Sequence, residues 1–242
     1  MNKKKQISVC FSPDLFHYYN KENLIVVVVD ILRATTVIST AFEYGIKSVI
    51  PVETLEEALS YKEKENYIIA AERNTKIIEG FNFGNSPHHY MNKDIKEKEL
   101  VLTTTNGTKA IHKAKENILI TASYINIDAV KRYLIQEQKD IVILCSGWKN
   151  RFNLEDSIFA GDLATLILDS NKYISNCDSL SASQTLLRSA QSDLFRFLEN
   201  SAYRKRNQSV EVIKDTKFCL NPTITSNIIP FFINGRLEKR II

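Results

Sequence analysis

From residue 6 to about residue 169 the chain alternates short β-branched runs with stretches whose apolar positions recur at helical spacing. That alternation predicts βαβ units around a mostly parallel or mixed sheet. Strand-like runs fall at 6–11, 24–30, 47–52, 67–71, 99–104, 117–121 and 140–145. Leu24-Ile25-Val26-Val27-Val28-Val29 is apolar on both faces, so it is expected in the middle of the sheet, covered by helices on both sides. Helical stretches fill the intervals at 34–44, 54–64, 87–92, 107–115, 126–137 and 154–169. Thr54-Leu55-Glu56-Glu57 has the form of a capping box, Gly45 that of a C-terminal cap, and Glu155 and Asp156 give an acidic first turn. Past residue 170 the pattern changes to a polar helix at 181–200, a charged linker and a strand near 227–233. The expectation is a layered α/β/α fold in one domain over 1–242, with a subdivision near 170 left open. The C-terminal third either wraps the first part or forms a smaller subdomain.

Composition narrows the classes. With 44% hydrophobic and 25% charged residues, the chain can bury a core and is neither disordered nor a disulfide scaffold. Its 32 basic and 28 acidic residues leave a net charge of +4, too even a balance for a nucleic-acid footprint. Arg204-Lys205-Arg206 accordingly reads as a solvated turn. Cys10, Cys145, Cys177 and Cys219 are scattered, which argues against a zinc ribbon or a redox pair. The aliphatic run at 24–29 is far shorter than the roughly 20 residues that span a bilayer. The basic start, Met1 to Lys5, is not followed by the apolar run of a signal peptide. A cytoplasmic protein without nucleic-acid or membrane partners is expected, and Phe231-Phe232 leaves a homodimer open.

Candidate chemistry gathers where strands give way to loops, the place where open α/β sheets bind ligands. The strand at 24–30 ends in Asp30 and Arg33, that at 67–71 in Glu72 and Arg73, and that at 99–104 in Thr105-Asn106-Gly107-Thr108. The strand at 140–145 runs into Ser146-Gly147. Only seven glycines occur, and Gly80, Gly84, Gly107, Gly147 and Gly161 lie in or beside these loops. Hydroxyls, an amide and a glycine opening a helix at 103–108 suit an anion, and equally suit an Asn-Gly turn with a hydroxyl cap. Gly84-Asn85-Ser86-Pro87 is a second donor-rich loop, with Ser86 as N-cap and Pro87 at the first helical position. Asp30, Glu72, Glu155 and Asp156 are hard oxygen donors with no Cys/His cluster beside them, which suits Mg²⁺ rather than zinc. Asp30 follows an apolar strand, so a cation or Arg33 is expected close by. His112 reads as structural and Cys145 as a small buried hydrophobe.

In order along the chain, Val29-Asp30-Ile31-Leu32-Arg33-Ala34-Thr35-Thr36, Ala71-Glu72-Arg73, Gly80-Phe81-x-x-Gly84-Asn85-Ser86-Pro87, Thr103-Thr104-Thr105-Asn106-Gly107-Thr108, Ser146-Gly147 and Leu154-Glu155-Asp156 resemble the 2-phosphosulfolactate phosphatase family. The resemblance covers about residues 24–165. It implies an α/β fold and magnesium-dependent hydrolysis of 2-phospho-3-sulfolactate to sulfolactate and phosphate, a step toward coenzyme M. It further implies metal and acid–base roles for Asp30, Glu72, Glu155 and Asp156. Substrate contacts are implied for Arg33, Asn85, Ser86, Thr105, Asn106, Gly107 and Thr108, to which the loop reading adds Arg73 and Gly147. Asp30 either orients a water or attacks phosphorus directly. Past residue 200 the likeness fades: Asp215, Phe218 and Cys219 fit the family's pattern, whereas Tyr203 stands where a histidine is expected. A non-catalytic binder of anionic phosphorylated metabolites is the alternative.

Overall fold

The computed structural model describes residues 4–73, 76–81, 83–190 and 193–242, except for the side chains of Arg73, Lys76 and Lys93. Its strands are β1 (Lys5–Cys10), β2 (Leu24–Val29), β3 (Ser48–Pro51), β4 (Tyr67–Arg73), β5 (Lys76–Ile77) and β6 (Glu99–Thr103). They continue with β7 (Ile118–Ala122), β8 (Asp140–Cys145), β9 (Tyr173–Ile174), β10 (Ile228–Ile233) and β11 (Arg236–Ile241). Helices α1 (Ala34–Glu43), α2 (Leu55–Leu59), α3 (Gly107–Ala114), α4 (Ile127–Glu137) and α5 (Leu154–Leu168) lie between them. Helices α6 (Asp178–Ala190), α7 (Leu194–Phe197), α8 (Ala202–Arg206) and α9 (Val210–Cys219) precede the final hairpin.

The strands form one mixed sheet in the order β5-β4-β6-β3-β11-β10-β7-β2-β8-β1-β9. All six residues of β2 are buried. Ile25, Val27 and Val29 pack with β1, β8 and α5, while Leu24, Val26 and Val28 face α1, α3 and the β6 side. A strand of alternating side-chain direction that is apolar at every position has two cores to fill, and β2 fills both. Each such fully buried side chain contributes about 1.5–3 kcal/mol of transfer free energy.

Two blocks of parallel pairing make up this sheet. One joins β4, β6 and β3, and the other joins β7, β2, β8, β1 and β9. Between them sits the C-terminal hairpin, antiparallel to β7 through β10 and to β3 through β11. Three antiparallel steps make the blocks run in opposite senses, so on a flat sheet their carboxyl edges would lie on opposite margins. Strand twist of about 20–25° per step accumulates to roughly 100–125° between β6 and β2, turning one edge toward the other.

Several expectations change in detail. The helix expected at 54–64 is the single turn and a half of α2, which Thr54 caps by accepting from the Glu57 N–H at 3.0 Å and which ends at Ser60. Residues 87–92 form a 3-10 turn, Pro87–Tyr90, in place of an α-helix. The helix expected at 181–200 starts earlier, as α6, and α7 follows; residues 191 and 192 lie outside the described residues. Arg204-Lys205-Arg206 lies in α8 and is no turn. Phe231 is buried in the central strand β10, and Phe232 is half-buried against the opposite core, so this pair offers no exposed face for a dimer. The helices and the hairpin after residue 170 cover and complete the sheet. No helix among the described residues is long and apolar enough to cross a membrane.

Candidate active site

The loop leaving β2 is knit to α1 by hydroxyls. Thr35 Oγ1 donates to the Asp30 carbonyl (3.0 Å) and accepts from the Asp30 N–H (3.1 Å), and Thr36 Oγ1 donates to the Ile31 carbonyl (3.0 Å). The Asp30 carboxylate accepts from the Ala34 N–H at 3.2 Å, so its position follows the start of the helix. Asp30 lines a cavity of about 230 Å³. Glu72 from β4, Thr105 and Asn106 from the loop after β6, and Gly147 from the loop after β8 share that cavity. Arg33, Asn85 and Glu155, the last from the first turn of α5, complete this part of the wall. Loops from both oppositely running blocks therefore meet at one place.

Glycine makes the meeting close. A Cβ on Gly107 would lie 2.7 Å from Ala34 Cβ and 2.8 Å from Asp30 Oδ2. Both contacts are too short for real side chains, and the nearer one involves a fixed helical alanine. We therefore expect Gly107→Ala to push α3 away from Asp30, costing about 1–3 kcal/mol of stability. Thermal unfolding together with activity measurement checks this, and a variant of wild-type stability would contradict the close approach. Gly147 adopts φ +63°, and a Cβ there would lie 2.3 Å from the Arg151 carbonyl oxygen. The loops are also tied laterally: the Lys149 N–H donates to Asn106 Oδ1 (2.9 Å) and Lys109 Nζ to Asn150 Oδ1 (2.8 Å).

Arg33 does not pair with Asp30. Its Nη1 forms a buried ion pair with Asp215 Oδ2 from α9. The other Asp215 oxygen accepts from Ser86 Oγ at 2.7 Å. Ser86, expected to cap the following turn, makes no side-chain capping bond there and serves Asp215 instead. A second cavity of about 480 Å³ adjoins the first, sharing Arg33 and Asn85 with it and adding Ser86, His88 and Asp215. Burial lowers the pKa of His88 below the usual imidazole range, so it faces Asp215 as the neutral ring near neutral pH.

Not every expected residue reaches the cavity. Asp156 lies beneath it, accepting from the Ile31 N–H (2.9 Å), the Gly147 N–H (3.1 Å) and Asn153 Nδ2 (2.8 Å). Both of its oxygens are engaged, and they lock the β2 and β8 loops together. Thr108 is buried behind the loop, where its N–H donates to Thr104 Oγ1 at 3.3 Å. The side chain of Arg73 lies outside the described residues. His112 Nε2 lies 2.8 Å from the Pro51 carbonyl oxygen, tying α3 to β3. Cys145 is buried, and burial pushes its thiol well above the usual range.

Electrostatics mark the cavity. Burial, with the charges of Asp156 and Glu72 nearby, pushes the Asp30 carboxyl up to about 8. Burial and the neighbouring Asp30 charge raise Glu155; burial and Glu155 raise Asp156. A buried group of mutually repelling carboxylates is costly unless cationic charge joins it. Asn85 is 5% exposed and its Oδ1 is buried without a hydrogen-bond partner, one more oxygen on the same wall. Among the described residues no three His, Cys, Asp or Glu side chains are gathered to hold a metal ion directly.

Trp148, Asn153, Arg206 and Asn207 also line the cavity without having been singled out from the sequence as site residues, and so does Tyr203, the position where the resemblance places a histidine. Trp148 adjoins Gly147 and is the chain's single tryptophan, a signal that could have been read. Nothing in the periodicity of 201–207 pointed to the site. The Arg206 guanidinium lies 4.2 Å from the centre of the Trp148 ring, and that of Arg204 lies 4.2 Å from Phe195.

A family model described as 2-phosphosulpholactate phosphatase matches residues 10–235. A protein of Thermotoga maritima named probable 2-phosphosulfolactate phosphatase is 38% identical over 209 residues, 86% of this chain and 89% of its own. One of the same name from Caldanaerobacter subterraneus is 36% identical over 215 residues, 87% and 88% of the two chains. A third, from Clostridium acetobutylicum, is 34% identical over 237 residues, 96% and 99% of the two chains.

Proposed function

The chain belongs to the 2-phosphosulfolactate phosphatase family, whose members are phosphoric monoester hydrolases, and from that membership we propose its reaction. It hydrolyses 2-phospho-3-sulfolactate, or a small hydroxy-acid phosphate like it, to the alcohol and inorganic phosphate with Mg²⁺. The observation that carries this reading is the convergence of Asp30, Glu72 and Glu155 on one cavity beside Arg33 and the start of α3. At about 230 Å³ the cavity is smaller than the roughly 300–1,000 Å³ of drug-sized sites, as a compact metabolite requires.

The donors suit magnesium. Asp30, Glu72 and Glu155 are hard oxygen ligands, and the orphaned Asn85 Oδ1 adds a neutral one. Magnesium held by one or two carboxylates keeps several of its waters. Bound there, magnesium would neutralise phosphoryl charge and lower the pKa of a water. Arg33, fixed by Asp215, turns further N–H donors of its fork toward phosphoryl oxygens. The positive end of α3 faces the same charge through Thr105 and Asn106. Asp30 then orients an in-line water or attacks phosphorus itself, and Asp156 keeps the loops from separating.

Phosphate release from 2-phosphosulfolactate in Mg²⁺ buffer tests this reading. Activity is expected to fall to background in EDTA and to return when Mg²⁺ is restored. Tight calorimetric binding of phosphoesters without turnover across a panel would move the protein to the binder alternative.

A further inference from the structure

We propose that α8 is the specificity element of this site: the Tyr203 hydroxyl and the Arg206 guanidinium grip a second oxyanion carried on the carbon skeleton of the phosphate ester. The inference rests on the phosphatase reading above and adds which residues select among esters. Tyr203 and Arg206 are three residues apart on α8, so they share one face, and both line the cavity that holds Asp30. Tyr203 is 5% exposed, and its hydroxyl is buried without a hydrogen-bond partner. A buried donor left unpaired costs free energy that a ligand's acceptor recovers.

Arg206 stands exposed at the mouth, its guanidinium over the Trp148 ring at 4.2 Å, and Trp148 lines the same cavity. Stacking holds the fork while leaving its in-plane N–H edges for an oxyanion. No carboxylate among the described residues forms an ion pair with Arg206, although its positive charge lowers the proton affinity of Glu155. Arg33 and the start of α3 serve the phosphoryl end of the same cavity, and Arg33 lies close enough for its charge to act on the Tyr203 hydroxyl. A neutral tail would leave both the hydroxyl and the guanidinium without use.

The test compares kcat/KM for 2-phosphosulfolactate with that for isopropyl phosphate, which carries neither the carboxylate nor the sulfonate. Tyr203→Phe and Arg206→Met are each expected to lower the ratio of the two by about tenfold, as loss of one hydrogen bond to a charged group does. Lys205→Gln, on the exposed side of α8, keeps the wild-type ratio. An equal fall for both esters, or an unchanged ratio, overturns the inference. Independently of turnover, sulfolactate is titrated calorimetrically into wild type and variants, with affinity about tenfold weaker in each variant. Equal affinities, or no binding to wild type, overturn it as well. Failure of wild type to release phosphate while this binding difference persists counts against the phosphatase reading alone.

Discussion

Asp30→Asn lowers phosphate release by at least roughly 100- to 10,000-fold, the range for loss of a positioned acid–base carboxylate, while the protein without metal becomes more stable. The two effects have one cause. Asp30 carries a carboxyl that burial and its neighbours raise from 3.8 to about 8. Between those values the folded protein binds more protons than the unfolded chain, so stability falls as pH rises through that window. The contribution is present below pH 4, where both states are protonated, and is lost progressively up to about pH 8. At neutral pH the folded, metal-free protein therefore holds Asp30 largely protonated, and keeping that proton, which the unfolded chain releases, costs a few kcal/mol. Asparagine removes the charge, so thermal unfolding of metal-free Asp30→Asn should depend less on pH than that of wild type. Some slope remains, because Glu155 and Asp156 are raised as well. A steeper slope in the variant, or activity within tenfold of wild type, would remove Asp30 from the centre of the mechanism.

Asp215→Ala has the largest expected effect on folding. The Arg33–Asp215 pair is buried on both sides, at 4% and 2% side-chain exposure, and Asp215 also accepts from Ser86. Removing the acid leaves a guanidinium buried beside an alanine, a change that costs about 3–5 kcal/mol. It also frees the fork that faces the cavity, so activity falls with stability. Asp215→Asn separates the two: its amide oxygen still accepts from Arg33 and its size is kept, so much of the stability returns while the charge does not. Denaturant midpoints and kcat for the two variants read these terms apart. A loss below about 1 kcal/mol in Asp215→Ala would mean that Arg33 is held by other contacts.

Much of this is legible in the sequence. β1, β2, β6, β7, β8 and α5 fall within a residue or two of the bounds read from the sequence, and for β2 the reason is plain, since burial on two faces forces an unbroken apolar run. The loops after β2, β6 and β8, with Glu72 near the end of β4, read as the place of chemistry, and residues of each line the cavity. What stayed hidden depends on pairing across long sequence distances. Arg33 finds Asp215 across 182 residues, and no local pattern encodes that choice over Asp30. Asp156 looked like a ligand from composition, yet two backbone N–H groups and an amide claim it. Arg206 lay in a basic triplet that resembles any solvated surface until Trp148 is placed beneath it. β11 reads Arg-Leu-Glu-Lys-Arg-Ile, charged on its open face, so its place inside a sheet could not be guessed from hydrophobicity.

The seam between the two strand blocks carries a consequence for how the molecule is made. β3, at 48–51, and β7, at 118–122, are bridged only by residues 228–241, far downstream of both. On the ribosome, each block therefore waits with one unpaired edge of backbone N–H and C=O groups until residues 228–241 have emerged. Such edges recruit strands from other chains, and contacts of this sequence separation form slowly. Biogenesis rather than the finished state is where this architecture is most exposed to aggregation, and a growing cell has to shield it there.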